Sequence, residues 1–600
     1  MPRPITPTST LENLKREAKR WLKALRENAV DARARLERAL SNAPEHPTLR
    51  DVQHALAREH GLSGWTELTG QLGQHRPADA PTAELVARFI ENACPDHHVR
   101  GAPAHVRARH TAMRILERYP SIAHASFYTE IVCGDLAAVE QALAGDTALA
   151  SRKSSEPGTG RTGVGNSEDL DGDIGAKGWE PLSYLCFARL PLAAANDNAL
   201  AIVRALLDRG ADPNVFFMAG DSRYTPLAGV IGEGEEDRPP HQQRDALVRL
   251  LLERGAEPFD KQVIYNIHFH GNVLWFLELI YDTSVRQGRK YAWDDPSWSM
   301  LDMGGYGSGA RWHLDIAIDK NDVRLAEWCL AHGASATAEP ARDKRFPQVS
   351  LYENAVRKGR GPIADLLVRH GATPTEVVLS DIDALVAAAL RLDRAAVRQH
   401  LATHPEFLRA PNALFAAARE GRADVVELLL DLGTSPNVEN AQKERALHIA
   451  AYNNALRVAE LLIARGAEAD PVASSYDNTP LGAASYYQHA TMIELLGRHS
   501  RDVWELTYCG IVDRLSDVLR EQPERARVVA GGQTPLMWLP PHDAAVAMQV
   551  AGLLLTYGAD PTLRNNEGMT AADRADRLGL FDVAEMLRHA ASPHDRPGPA

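Results

Sequence analysis

The residues best placed to do chemistry are aromatic. Five of the ten tryptophans, Trp275, Trp293, Trp298, Trp312 and Trp328, fall within about fifty residues, with Tyr265, Tyr281, Tyr291 and Tyr306 among them. Such crowding suits a hot spot or a pocket, since Trp and Tyr dominate the energetics of interfaces. Trp275, Trp312 and Trp328 sit at helical positions and are expected in the core. Tyr291, Trp293, Trp298 and Tyr306 lie in a loop and are candidate partner- or ligand-binding residues, together with Asp294, Asp295 and His270. The rival reading is a loop that folds onto its own aromatic rings.

Other constellations are weaker. Asp169, Asp171, Asp173 and Glu180 occupy positions 1, 3, 5 and 12 of a calcium-loop pattern, but Ile174 stands where the sharp turn needs glycine, so a solvated loop is expected. His268 and His270, with His313 further on, lack a third ligand at a recognisable spacing, and a helix there splays the first two apart. Ser308 lies in a Gly-rich run without the G-x-S-x-G frame of a nucleophile elbow. There is no P-loop, dinucleotide fingerprint or Ser/His/Asp arrangement. The expected catalytic residues, metal and cofactor are therefore none, and the expected work is binding, not enzymatic catalysis.

The elements that position these residues are repeats. Segments 412–437, 445–470 and 479–500 align on Leu414, Leu447 and Leu481, which lie 33 and 34 residues apart. Each reads as a small-residue helix, a polar turn, and a Leu-rich helix ending at glycine. Thr479 and Pro480 supply an N-cap hydroxyl and a first-turn proline. Gly433 and Gly466 suit the left-handed position beyond a helix C-terminus. One such pair cannot bury its apolar face alone, but a stack can.

LLDRGADPN (206–214), LLLERGAEP (250–258), LLIARGAEADP (461–471) and LLLTYGADP (553–561), with TPLAGV (225–230), TPLGAA (479–484) and TPLMWL (534–539), resemble the second-helix and first-helix signatures of the ankyrin repeat. First helices are expected near Tyr128, Leu182, Leu227, Ile264, Leu314, Leu351, Leu385, Leu414, Leu447, Leu481, Leu506, Leu536 and Ala571. The resemblance implies an all-α, ankyrin-like helical solenoid of about thirteen pairs over roughly 126–592. The family's helix-1 histidine survives as His448, while Ser183, Ala228, Asp315, Gly482 and Met537 stand elsewhere, so apolar packing must carry more of the stacking.

Insertions interrupt the period at 151–178, 215–225 and 284–311, each between one pair and the next. In the ankyrin arrangement such connections form fingers over one groove. Residues 232–243 instead join two helices of one pair and should emerge at the opposite edge. Upstream, 1–76 reads as an N-terminal helical module in which Leu11, Leu14, Ala18, Trp21, Leu22 and Leu25 share a helix face. It is similar to a helical region found ahead of bacterial ankyrin arrays. Residues 77–125 form a helical connector or cap, and 593–600 a disordered tail.

A net charge of −13 argues against general nucleic-acid or anionic-membrane binding. Lys15, Arg16, Lys19, Arg20 and Lys23 read as the solvated side of one helix. Five scattered cysteines without a C-x-x-C pair, no signal-peptide core and no apolar stretch of about 18 residues point to the cytoplasm. The expected function is a protein-interaction scaffold for an unidentified protein or peptide. The alternative is a small-molecule pocket, with or without enzymatic activity, under the aromatic loop 284–311.

Overall fold

The computed structural model describes residues 18, 21–26, 29–40, 43–44, 47–59, 83–154, 177–346, 348–474 and 478–592. The calcium-loop aspartates, the basic run apart from Lys23, and the tail 593–600 lie outside them. The chain forms two compact units, Met1–Thr82 and Ala83–Ala600.

In the first unit, helices Val30–Ala39 and Leu49–Glu59 bury Leu36, Val52 and Leu56 with Ala18, Trp21, Leu22 and Leu25. The inward face expected from the spacing is thus seen for its described members. Trp21 donates its indole N–H to the Ala32 carbonyl at 3.0 Å. Arg35 lies 3.9 Å over the Trp21 ring and pairs with Glu59 at 2.6 Å.

The second unit is a helical solenoid. Its first helices are Phe127–Cys133, Pro181–Phe187, Pro226–Ile231, Lys261–His270, Gly309–Asp319, Leu351–Arg357, Asp381–Leu390, Asn412–Arg419, Ala446–Tyr452, Pro480–Tyr486, Val503–Cys509, the short 3₁₀ turn Pro535–Met537, and Ala571–Arg577. Each precedes a second helix, so the thirteen expected pairs are present among the described residues. The local causes are those anticipated. Thr225 and Thr479 accept the backbone N–H of Ala228 and Gly482, and Pro226 and Pro480 follow in the first turn, where a missing N–H costs nothing. Gly433 and Gly466 have φ of +100° and +87°, a conformation that strains any L side chain. His448 is fully buried, and its Nε2 lies 3.1 Å from the Pro471 carbonyl, tying its repeat to the following connection. The apolar core runs in two stretches, Val86 to Ala372 and Leu385 to Leu587.

The pair Ala83–Ala93 and Ala102–Arg118 precedes the array and touches both of its ends. At the front, the Ala93 carbonyl accepts the Arg189 N–H at 2.9 Å, and the Glu236 carbonyl accepts the Gly101 N–H at 2.8 Å. At the back, Arg107 donates to the Tyr508 hydroxyl at 3.2 Å, and Arg114 to the Leu578 carbonyl at 2.8 Å and the Pro541 carbonyl at 2.5 Å. Tyr119 meets Phe581 edge-on at 6.4 Å. Segment 232–243, between the two helices of one pair, supplies Glu236 and so anchors the leading helices. Arg114→Ala removes two charge-assisted bonds, each contributing about 1.5–3 kcal/mol. Hydrogen exchange in Ala571–Arg577 and Phe581–Ala591 should accelerate at least tenfold; unchanged protection there would show that the contact does not hold the last repeat.

Candidate partner-binding groove

The aromatic loop closes on itself. Over 284–311 the chain forms three 3₁₀ turns, Lys290–Asp294, Ser299–Leu301 and Gly304–Tyr306. Trp293 and Trp298 are 2% and 0% exposed, with ring centroids 5.0 Å apart at 81°, and Trp328 lies 5.9 and 6.1 Å from them. The Trp293 indole N–H donates to Ser284 Oγ at 2.9 Å. This corrects the expectation for these two residues, because a ring with no accessible face cannot meet a partner or line a pocket. Tyr306 is partly buried against Trp312 and Phe346, each 5.1 Å away. Asp295 accepts from the Ser297 and Ser299 backbone N–H groups, so it orders the loop, and the Ser299 hydroxyl together with these N–H groups lowers its pKa to about 2. Tyr291, at 71% exposure, and Asp294 remain at the surface. The His270 side chain lies outside the described residues. His313 is buried with Nδ1 2.7 Å from the Gly309 carbonyl, and burial pushes its pKa down to about 4.

Asp96, His97 and His98 are the one close group of possible metal ligands among the described residues, and the Lys177 ammonium already lies 2.8 Å from Asp96 Oδ2. Lys177 lies 81 residues along the chain from Asp96, so no local spacing marks this contact.

A more open site lies where the repeat is shortened. Between second helix Ala490–Gly497 and first helix Val503–Cys509 the connection is only 498–502, whereas its neighbours run over 465–479 and 522–534. The two longer connections carry antiparallel bridges, Ala473 to Asn478 and Ala530 to Gln533. With no finger between them, a cavity of about 710 Å³ opens, lined by Val472, Trp504, Glu505, Arg525, Gln533 and Trp538 among others. Of its lining residues Val472 and Trp538 are 49% and 36% exposed, and Val528 and Val529, which precede the lining residue Ala530 in the chain, are 40% and 57% exposed. Trp538 meets Trp504 edge-on at 6.2 Å and Tyr508 at 5.9 Å, and Gln533 accepts its indole N–H at 2.7 Å.

The wall of this cavity is acidic at one point. Asp502 caps its helix by accepting the Trp504 N–H at 3.0 Å. Arg501 pairs with Glu521 at 2.6 Å, and Arg525 donates to the Arg501 carbonyl at 2.8 Å. Glu505, by contrast, makes no hydrogen bond or ion pair among the described residues, and burial, reinforced by Asp502, pushes its pKa up to about 7. Its carboxylate lies over Gly482, where a Cβ would stand 2.9 Å from Oε1. The folded protein therefore holds this proton longer than the unfolded chain does, and stability falls as pH rises from about 4.5 to about 7. Glu505→Gln should flatten that part of the urea-midpoint profile; an unchanged slope would show that Glu505 does not set it.

A family model for ankyrin repeats in three copies matches residues 414–506. The chain is an ankyrin-repeat domain-containing protein. Its array is similar to part of the ankyrin repeat and KH domain-containing protein mask-1 of Caenorhabditis elegans, 22% identical over 466 residues, or 66% of this chain and 16% of that one. A transient receptor potential cation channel subfamily A member 1 homolog from the same organism is 29% identical over 157 residues, covering 25% of this chain and 12% of the relative. Serine/threonine-protein kinase 12 of Arabidopsis thaliana is 34% identical over 86 residues, covering 14% and 18%. The chain thus spans less than a fifth of these relatives. Among the described residues no helix is long and apolar enough to cross a membrane.

Proposed function

We propose that this ankyrin-repeat protein is an interaction scaffold, and that its principal contact with a protein or peptide partner is the gap between connections 465–479 and 522–534. The observation that carries this reading is the cavity left by the shortened connection, lined by the exposed Val472 and Trp538, with the exposed Val528 and Val529 next along the chain to its lining residue Ala530. Rigid aromatic anchors beside a concave surface are the usual carriers of binding energy. Tyr291 and Asp294 form a secondary contact surface. The pocket expected under 284–311 is not part of this reading, since its tryptophans are sealed inside. We place the protein in the cytoplasm; its five free cysteines, four of them buried, suit a reducing compartment.

The test is photo-crosslinking. A crosslinkable residue at Val529 should capture the partner in cells of the protein's source, and one at Tyr291 should capture less. Capture from Tyr291 alone would move the site to the aromatic loop. Trp538→Ala should weaken the captured partner's binding about thirtyfold, the scale of a hot spot of about 2 kcal/mol. The denaturation midpoint should fall less than for a fully buried tryptophan, because the residue is already 36% exposed; equal affinity would remove Trp538 from the interface.

A further inference from the structure

The gap between the two connections contains one feature that an apolar contact does not need. Glu505 lines the same cavity as Trp504 and Trp538, and among the described residues no cation pairs with its carboxylate, although Arg501 and Arg525 also line that cavity. The neighbouring arginines are turned elsewhere, Arg501 to Glu521 and Arg525 to a carbonyl. Asp502, whose two oxygens face the Trp504 N–H and the Thr479 hydroxyl, is committed to capping. Asp470, another lining residue, accepts from Ser500 Oγ and from the Arg501 N–H, both at 2.6 Å. A carboxylate without a partner in a cavity that aromatic rings also line is an arrangement that recognises a cation: the carboxylate supplies the charge and a ring face attracts the positive group.

We propose that this cavity receives a lysine or arginine side chain presented by an extended segment of the partner, with Glu505 as its counter-charge and Trp504 and Trp538 as its walls. This rests on the reading of the gap as an interface and names what it recognises there. The net charge of −13 favours a basic partner through long-range attraction. Gly482 is part of the device, because a side chain at that position would press on the carboxylate from the neighbouring repeat.

An arriving cation stabilises ionised Glu505, so binding below pH 7 releases a proton from it. The other charged or titratable groups around Glu505 are Asp502, Asp470, Arg501, Arg525, Tyr508, Cys509 and Arg107. Burial moves the Tyr508 hydroxyl upward and the Cys509 thiol up to about 12, so neither titrates in this range. Asp502 is also raised, and the Glu505 variant separates its contribution.

The experiment is calorimetric titration of the full chain with four capped pentapeptides, Ala-Ala-X-Ala-Ala, where X is lysine, arginine, norleucine or acetyl-lysine. At pH 6.5 the lysine or arginine peptide should bind at least tenfold more tightly than the norleucine and acetyl-lysine peptides, and should release a proton, read from the dependence of heat on buffer. Whichever cation is preferred, Glu505→Gln should abolish the preference and the proton release, and Gly482→Ala should reduce both. Glutamine is isosteric with the protonated acid, so the fold is retained, and a matching thermal midpoint verifies it. Equal binding of the norleucine peptide, no binding of any peptide at millimolar concentration, or an unchanged preference in Glu505→Gln would overturn the proposal. The Val529 crosslink separates this from the broader reading: if it persists while the cation preference is absent, the gap is an interface without a cation site. If the crosslink is also lost, both readings fall.

Discussion

Replacing Trp298 with alanine should destabilise the second unit by about 3–5 kcal/mol, the usual result of emptying a large aromatic site in a packed core. Trp298 is fully buried among Trp293, His313 and Trp328. Its backbone is also unusual, with φ of +52°, a left-handed conformation that costs a non-glycine residue roughly 1–3 kcal/mol. The surroundings impose it: the Trp298 N–H donates to the Asp295 carbonyl, its own carbonyl accepts from Leu301, and Gly309 passes so close that a Cβ would stand 2.6 Å from that carbonyl oxygen. Trp298→Gly loses the same ring but relieves the strain, so it should be less destabilising than Trp298→Ala by about 1 kcal/mol. Guanidinium unfolding followed by circular dichroism measures both. A loss below about 1 kcal/mol for alanine would mean that the loop is not seated as described. A partner's affinity for the gap around Trp538 should remain unchanged in whatever fraction is folded.

Arg189→Met should cost a similar amount, about 3–5 kcal/mol, for a different reason. The guanidinium is a hub for main-chain carbonyls: Pro239 at 2.7 Å, Gly229 at 2.5 Å, Cys186 at 2.9 Å and Ala188 at 2.7 Å. Burial lowers its pKa to about 9, still charged at neutral pH. Methionine fills the space but offers no donor, and each buried acceptor left alone costs about 1–3 kcal/mol, with neighbouring losses less than additive. Arg189→Lys keeps the charge but cannot reach four carbonyls in one plane, so it should recover less than half of the loss. Since the Arg189 backbone also binds Ala93, exchange should rise in the leading helices as well as in the second and third pairs. A methionine variant as stable as the parent would show that water replaces the guanidinium easily.

The repeats were legible because their physics is local. Leu414, Leu447 and Leu481 mark a period, Thr479 and Pro480 a helix start, and Gly433 and Gly466 its end, and each motif acts within a few residues of itself. The expected site was less legible. Trp293 and Trp298 sit in an insertion, which argued for exposure, yet their area was enough to draw the loop into the core beside Trp328, which is further along the chain. Glu505 and Trp538 lie within ordinary repeat helices and turns, so no insertion or motif marks them in the sequence. The signal available was a deletion: Leu481 and Leu506 are 25 residues apart, where Leu414, Leu447 and Leu481 are spaced by 33 and 34.

By itself, then, the sequence determined the helix pairs, their number, their caps and the apolar faces that require stacking, because hydrophobic period and turn chemistry are written within each repeat. Only the tertiary structure decided which aromatic rings are sealed, that Gly482 leaves room for Glu505, and that Arg107 and Arg114 meet residues more than 400 positions away. Those outcomes depend on how thirteen pairs accumulate curvature and on which side chains then compete for the same space, and neither is encoded at any spacing a single repeat contains.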